Sequence, residues 1–150
     1  MEQGLVILPA FKTLSETVFA SEQISLEDID TAKATGVKII VNNRPDGEDH
    51  SAPQSDKVEA RALAVGLGYV SIPIGHSGFS EMQVEAMIKV MQEAEGPILA
   101  YCRSGTRSTF LWALASVKLG VDPDAIARSA IAAGYDVSPV RPMMDLLAVR

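Results

Sequence analysis

Short apolar runs alternate with capped helical segments along this chain, and that alternation restricts the fold more than any other feature. VKIIV (Val37–Val41), β-branched apart from Lys38, and the apolar ILAYC (Ile98–Cys102) are short β-prone runs, and a third strand falls at Tyr69–Ile72 within GYVSIPI. Runs of this kind fill strands buried on both sides. ETVFAS (Glu16–Ser21) adds another strand. Between them lie helices with physical start and stop signals. Ser25 caps a segment with apolar positions at Leu26, Ile29 and Ala32 that stops at Gly36. Residues Asp56 to Val65 read as a helix ending near Gly66, and Ser80 to Gln83 has capping-box spacing that opens a helix to about Glu95, stopped by Gly96-Pro97. A helix from Ser108 to Leu119 closes at Gly120, Asp122-Pro123 caps another to about Ala133, and Ser138-Pro139 caps the last.

Such alternation predicts an α/β three-layer fold: a four- or five-stranded, mainly parallel sheet with helices on both faces. Reactive loops of a parallel sheet gather outside the carboxyl ends of its strands. Three loops from distant parts of the chain are therefore expected on one edge: Asn42–Glu48, Gly75–Phe79 and Arg103–Thr106. The 150 residues fit one domain, 1–150, able to bury a core. No repeat or composition break marks a second.

The net charge of −6 leaves no basic surplus for nucleic acid, so none is expected as a partner. No apolar run reaches the ~18 residues of a spanning helix, and no membrane partner is expected. The short apolar stretch Gly4–Phe11 lacks a basic flank and does not read as a signal peptide, which points to a cytoplasmic protein. One cysteine excludes an internal disulfide and fits a reducing compartment.

That cysteine, Cys102, ends a predicted strand and precedes a helix in ILAY-C-RSGTR-STFLWALASV. Amides at a helix start have no partner within the helix, and the positive end of the helix dipole lies there too. Gly105 lets the chain bend so that successive N–H groups face inward as an anion nest. Together with Arg107, those groups are expected to hold Cys102 as the reactive thiolate. Arg103 adds charge, and the hydroxyls of Ser104, Thr106 and Ser108 can donate to a sulfur anion. Two arginines beside the lone cysteine of an acidic chain imply a local cationic pocket.

The motif CRSGTRS resembles the active-site loop of rhodaneses, whereas VFASEQ, LEDIDTAKATGVKIIVNNRPDGE and YVSIPI resemble dual-specificity phosphatases. Over nearly the whole chain this combination resembles the bacterial beta-lactamase-hydrolase-like, phosphatase-like domain family, whose members are also called sulfur transferases. The resemblance implies a cysteine-phosphatase fold and thiolate-based covalent catalysis. Two departures bear on the cargo. Phosphatases of this fold place five residues between Cys and Arg, but four separate Cys102 from Arg107, and Ser108 stands at the arginine position. The usual histidine before the cysteine is Tyr101. A narrower ring of amides suits one sulfur atom better than a phosphoryl group with three equatorial oxygens. The loop after YVSIPI reads GHSGFS and lacks the aspartate that serves phosphatases as general acid. His76 is the substitute available there, since an imidazole titrates near neutrality.

These points favour a sulfurtransferase that forms a persulfide on Cys102 from thiosulfate or a persulfide donor and passes the sulfur to an external thiol or cyanide. A phosphatase acting through phosphocysteine is the alternative, and a non-catalytic oxyanion or persulfide sensor is a third. The expected partners are a small anionic sulfur or phosphate substrate and an external thiol acceptor. A homo-oligomer or a sulfur-oxidising partner enzyme is compatible with the family resemblance. No cofactor and no metal is called for.

Arg44, in NNRPDGE, either adds positive potential at the site edge or pairs with Asp46 or Glu48 to fix its loop, the second being favoured. Asp46, Glu48, Asp49 and His50 lack metal-ligand spacing and read as a solvated acidic loop. Glu81 reads as first-turn helix charge. Phe110 and Trp112 read as core, Met143 and Met144 as core in preference to a partner surface, and Met82, Met87 and Met91 as core or a contact face.

Overall fold

A computed structural model describes residues 11–148. The segment Gly4–Phe11 therefore falls, except for Phe11, outside the described residues. In chain order the elements are β1 (Lys12–Thr13), β2 (Val18–Ser21), α1 (Leu26–Ala34), β3 (Ile39–Asn42), α2 (Ser55–Ala64), β4 (Gly68–Ser71), α3 (Glu81–Glu93), β5 (Ile98–Tyr101), α4 (Thr106–Lys118), α5 (Pro123–Ala132), a 3-10 turn (Ser138–Val140) and α6 (Arg141–Ala148). They form the expected α/β architecture.

The five-stranded sheet has the order β1-β2-β5-β3-β4, with β1 antiparallel to β2 and every other pair parallel. Helix α1 carries the chain past a vacant position, and α3 later returns it so that β5 inserts between β2 and β3. Ile98 thus pairs with Val18 on one side and Ile39 on the other. Flanked by strands and covered on both faces, β5 is buried at all four positions, which is why ILAY has no polar side. Its residues still alternate: Ile98 and Ala100 enter one core with Leu111, Trp112 and Leu114 of α4, while Leu99 and Tyr101 enter the other with Ile29, Ile40 and Val58. Burying each large aliphatic side chain in these layers contributes ~1.5–3 kcal/mol before the entropy of ordering it. Strand β4 lies at the edge, and its four residues are partly or fully exposed.

The capping signals work as the sequence anticipates. At α1 the Ser25 hydroxyl accepts from the Asp28 amide at 3.1 Å, and the Ser25 amide donates to the Asp28 carboxylate at 2.9 Å. Ser80 and Gln83 make the same reciprocal pair at α3, and the Asp122 side chain caps α5. One local expectation differs. Helix α4 starts at Thr106 rather than Ser108, because Gly105 adopts φ +89° and serves as its N-cap. Of the methionines read as core or a contact face, Met87 is fully buried and Met82 is 83% exposed, while Met144, read as core, is fully buried. Among the described residues no helix is long and apolar enough to cross a membrane.

Candidate active site

At the carboxyl end of β5 the chain leaves the sheet at its topological switch point, where flanking connections diverge and leave a crevice. Cys102 occupies this point and is fully buried. Its amide donates to the Ser21 carbonyl at 3.3 Å, continuing the β2 pairing for one more residue. The sulfur accepts a hydrogen bond from the Gly105 amide at 3.1 Å. The loop therefore closes on the sulfur from the helix side, with the positive end of the 13-residue α4 beside it. Thiol, glycine bend and helix start thus adjoin one another, and the amide that reaches the sulfur is that of Gly105.

All three expected loops meet here. Arg107, in the first turn of α4, forms a two-pronged ion pair with Glu48 (Nη1–Oε2 2.7 Å, Nη2–Oε1 3.0 Å). Its Nη1 also donates to the Ile74 carbonyl at 2.7 Å, which ties the loop after β4 to the helix start. Arg44 donates through Nε to Glu48 at 2.9 Å and through Nη1 to Gln23 at 2.9 Å. One carboxylate thus orders two guanidiniums drawn from separate connections. Hydrogen bonding to Arg107, then Arg44, holds the Glu48 carboxyl at about 2, well below the usual carboxylate range. Arg107 is raised, first by Glu48 and also by attraction to Cys102 nearby. Arg44 and Arg107 share this one carboxylate, Asp46 and Asp49 lie on the same loop as Arg44, and Arg103 is exposed.

Several sequence expectations need correction. Glu48 is no solvated loop charge: its side chain is 20% exposed and organises the arginines. Arg107 lies by the sulfur, but its fork is already filled by Glu48 rather than open to an anion. The hydroxyls assigned to the sulfur are engaged elsewhere. Ser108 is fully buried and donates to the Asn43 side-chain oxygen at 2.7 Å, while Ser104 donates to Thr106 at 2.9 Å. The Gly105 amide, not a hydroxyl, bonds the thiol. Arg44 takes the loop-fixing role, through Glu48 rather than Asp46. The Asp46 carboxylate instead accepts from the Ser55 amide at the start of α2, and Asp49 accepts from Ser51. Glu81 lies in the first turn of α3 and pairs with Lys118 at 3.7 Å. His76 is exposed on its loop, which Phe79 anchors edge-on against Phe110 with 6.2 Å between ring centroids.

Three further residues matter that the sequence reading missed. Gln23 receives Arg44, as described. Asn43, fully buried, accepts from Ser108, donates through Nδ2 to the Ile72 carbonyl at 2.9 Å, and through its amide to the Tyr101 carbonyl at 2.8 Å. It locks the ends of β3, β4 and β5 to α4, and its position just past an apolar strand was a readable sign. Tyr135, beyond α5, donates its hydroxyl to the Ser104 carbonyl at 3.1 Å. Nothing local in the sequence connects it with the cysteine. Tyr101, which stands where phosphatases carry histidine, points into the opposite core, and its buried hydroxyl has no hydrogen-bond partner among the described residues. Burial raises its phenol above the ordinary tyrosine range, so it stays neutral.

The comparisons with known proteins agree with this geometry. A Beta-lactamase hydrolase-like protein of Agrobacterium fabrum is 35% identical over 101 residues, covering 67% of this chain and 23% of the relative. This chain spans about a quarter to a third of the length of the curated relatives it matches. Among solved structures, a candidate phosphatase of Neisseria meningitidis superposes with a TM-score of 0.80 at 32% identity, covering 92% of this chain and 98% of the other. P. aeruginosa TpbA shares the fold, with a TM-score of 0.60 at 20% identity and 95% of each chain covered. The profile of the family described as "Beta-lactamase hydrolase-like protein, phosphatase-like domain" matches residues 10–119, from before β1 to just past α4. With its fold, its cysteine loop and that match over most of its length, the chain belongs to this family of phosphatase-like domains.

Proposed function

We propose that this domain is a cysteine-dependent phosphomonoester hydrolase. The observation that carries the reading is the Cys102 sulfur, held by the Gly105 amide at the start of α4 with the Arg107 guanidinium fixed alongside. The phosphatase fold of the neighbours supports phosphoryl over sulfur cargo. Cys102 thiolate attacks phosphorus, the P–O bond to the leaving group breaks, and phosphocysteine forms. His76 gives the departing oxygen its proton. Water then attacks phosphorus, its proton passes to the imidazole that was emptied in the first step, and inorganic phosphate leaves as thiolate is regenerated. Loop amides at the positive end of α4 stabilise the equatorial oxygens as charge spreads onto them, while Arg107, its fork held by Glu48, adds positive potential beside them.

Sulfur transfer is the second reading, and specific observations favour it: the four-residue spacing from Cys102 to Arg107 and the absence of aspartate from Gly75–Phe79. Here Cys102 thiolate takes the outer sulfur of thiosulfate, releasing sulfite, and cyanide removes it from the persulfide as thiocyanate. Sulfite is already a stable anion and needs no proton donor.

One experiment separates the two. Purified protein is assayed for aryl phosphate hydrolysis and for thiocyanate formation from thiosulfate and cyanide, with intact mass recorded after each donor. The phosphatase reading expects phosphate release, lost in Cys102→Ser. Thiocyanate formation with a stable gain of one sulfur atom, and no phosphate release, overturns it in favour of the second. Full turnover by Cys102→Ser in either assay removes the covalent mechanism altogether.

A further inference from the structure

The Gly105 amide that reaches the sulfur belongs to a peptide plane whose other end is also held. In the amide joining Ser104 to Gly105, the N–H donates to Cys102 Sγ at 3.1 Å and the carbonyl accepts from the Tyr135 hydroxyl at 3.1 Å. A trans peptide is rigid, with C=O and N–H pointing in opposite directions. Fixing one end therefore aims the other. Drawing electron density toward the carbonyl oxygen also makes the N–H a better donor, since hydrogen bonds in a chain polarise one another.

Space around Gly105 reinforces the point. A β-carbon at Gly105 would fall 2.1 Å from the Tyr135 hydroxyl and 2.9 Å from its ring carbon Cζ, with the Ser21 carbonyl carbon 3.3 Å away. The phenol thus lies directly against the glycine. Its own position is set by the end of α5, where the Tyr135 amide donates to the Ala130 carbonyl at 2.9 Å and Gly134 turns the chain at φ +98°. Burial first, and then the charge of Cys102, raises the phenol above its ordinary range, so it remains a donor while the thiol ionises.

We propose that Tyr135 is a positioning residue for Cys102: its hydroxyl, bonded to the Ser104 carbonyl, holds the 104–105 peptide with the Gly105 N–H on the sulfur and so favours the thiolate. The residue lies outside the segment matched by the family profile, which ends at 119. The inference rests on Cys102 as nucleophile but not on phosphoryl rather than sulfur cargo.

The test reads the thiolate directly rather than turnover, so its failure is separable from failure of the proposed activity. Cys102 is the only cysteine, so alkylation by iodoacetamide reports one site. The alkylation rate is measured against pH for wild type, Tyr135→Phe and Tyr135→Leu, while the Gly105 amide resonance is followed by NMR in labelled protein. In wild type, that resonance should titrate with the alkylation midpoint. Tyr135→Phe, which keeps the ring, should raise the midpoint by about half a pH unit to one unit, the share of a weakened hydrogen bond to a charged group. Tyr135→Leu should raise it by a similar amount. A wild-type midpoint in Tyr135→Phe overturns the proposal: a shift confined to Tyr135→Leu would then belong to ring packing, and no shift in either variant would leave Tyr135 without influence on the thiol. A wild-type Gly105 resonance indifferent to the Cys102 titration overturns it without any variant.

Discussion

Glu48→Gln is the substitution that most directly probes how the pocket is held. Glutamine keeps the shape of the side chain but removes the charge that two guanidiniums share at 2.7–3.0 Å. The Glu48 carboxyl titrates at about 2, against an ordinary 4.5. A folded-state value below the unfolded one means that folding is favoured wherever the unfolded chain binds more protons. The stabilisation is therefore fully present above pH 4.5 and disappears as pH falls toward 2. Taken at face value the shift corresponds to ~3 kcal/mol, and screening by solvent at the open side reduces this to ~1–2 kcal/mol. The assay is urea denaturation of both proteins at steps from pH 6 to pH 3. Wild type should exceed Glu48→Gln by that margin at pH 6, with more than half of the margin gone by pH 3. A difference independent of pH would refute the electrostatic account, because a lost packing contact does not titrate. Equal stability at pH 6 would refute the claim that Glu48 organises the arginines.

Two buried hydroxyls should respond in opposite ways. Ser108→Ala leaves the Asn43 side-chain oxygen buried without its 2.7 Å donor, and should cost ~1–3 kcal/mol in a denaturation midpoint. Tyr101→Phe removes a buried hydroxyl that has no partner among the described residues, and should leave stability unchanged or raise it by ~0–2 kcal/mol. Destabilisation by Tyr101→Phe, measured the same way, would show that the hydroxyl is hydrogen-bonded after all.

Much of the scaffold was legible before any coordinates. Strands buried on both faces must be apolar throughout, and helix starts need capping groups, so VKIIV, ILAYC, Ser25, Ser80 and Asp122 each declare their own role. The strand–loop–helix around Cys102 is legible for the same reason: its bend and its capping amides are local. The start of α4 was misplaced by two residues because a left-handed glycine can cap a helix without any side-chain signal.

The sequence by itself determined the mainly parallel sheet, the cysteine at the end of a strand and the glycine-bent helix start beyond it, because these depend on backbone geometry and on near neighbours. Only the tertiary structure decided that Glu48 takes Arg107 across 59 residues, that Ser108 turns to Asn43 across 65, and that Tyr135 reaches the Ser104 carbonyl across 31. Such partners are chosen where separate connections converge at the sheet's edge. A charged or hydroxyl side chain with several candidates within reach carries no mark in the sequence of the one it will meet.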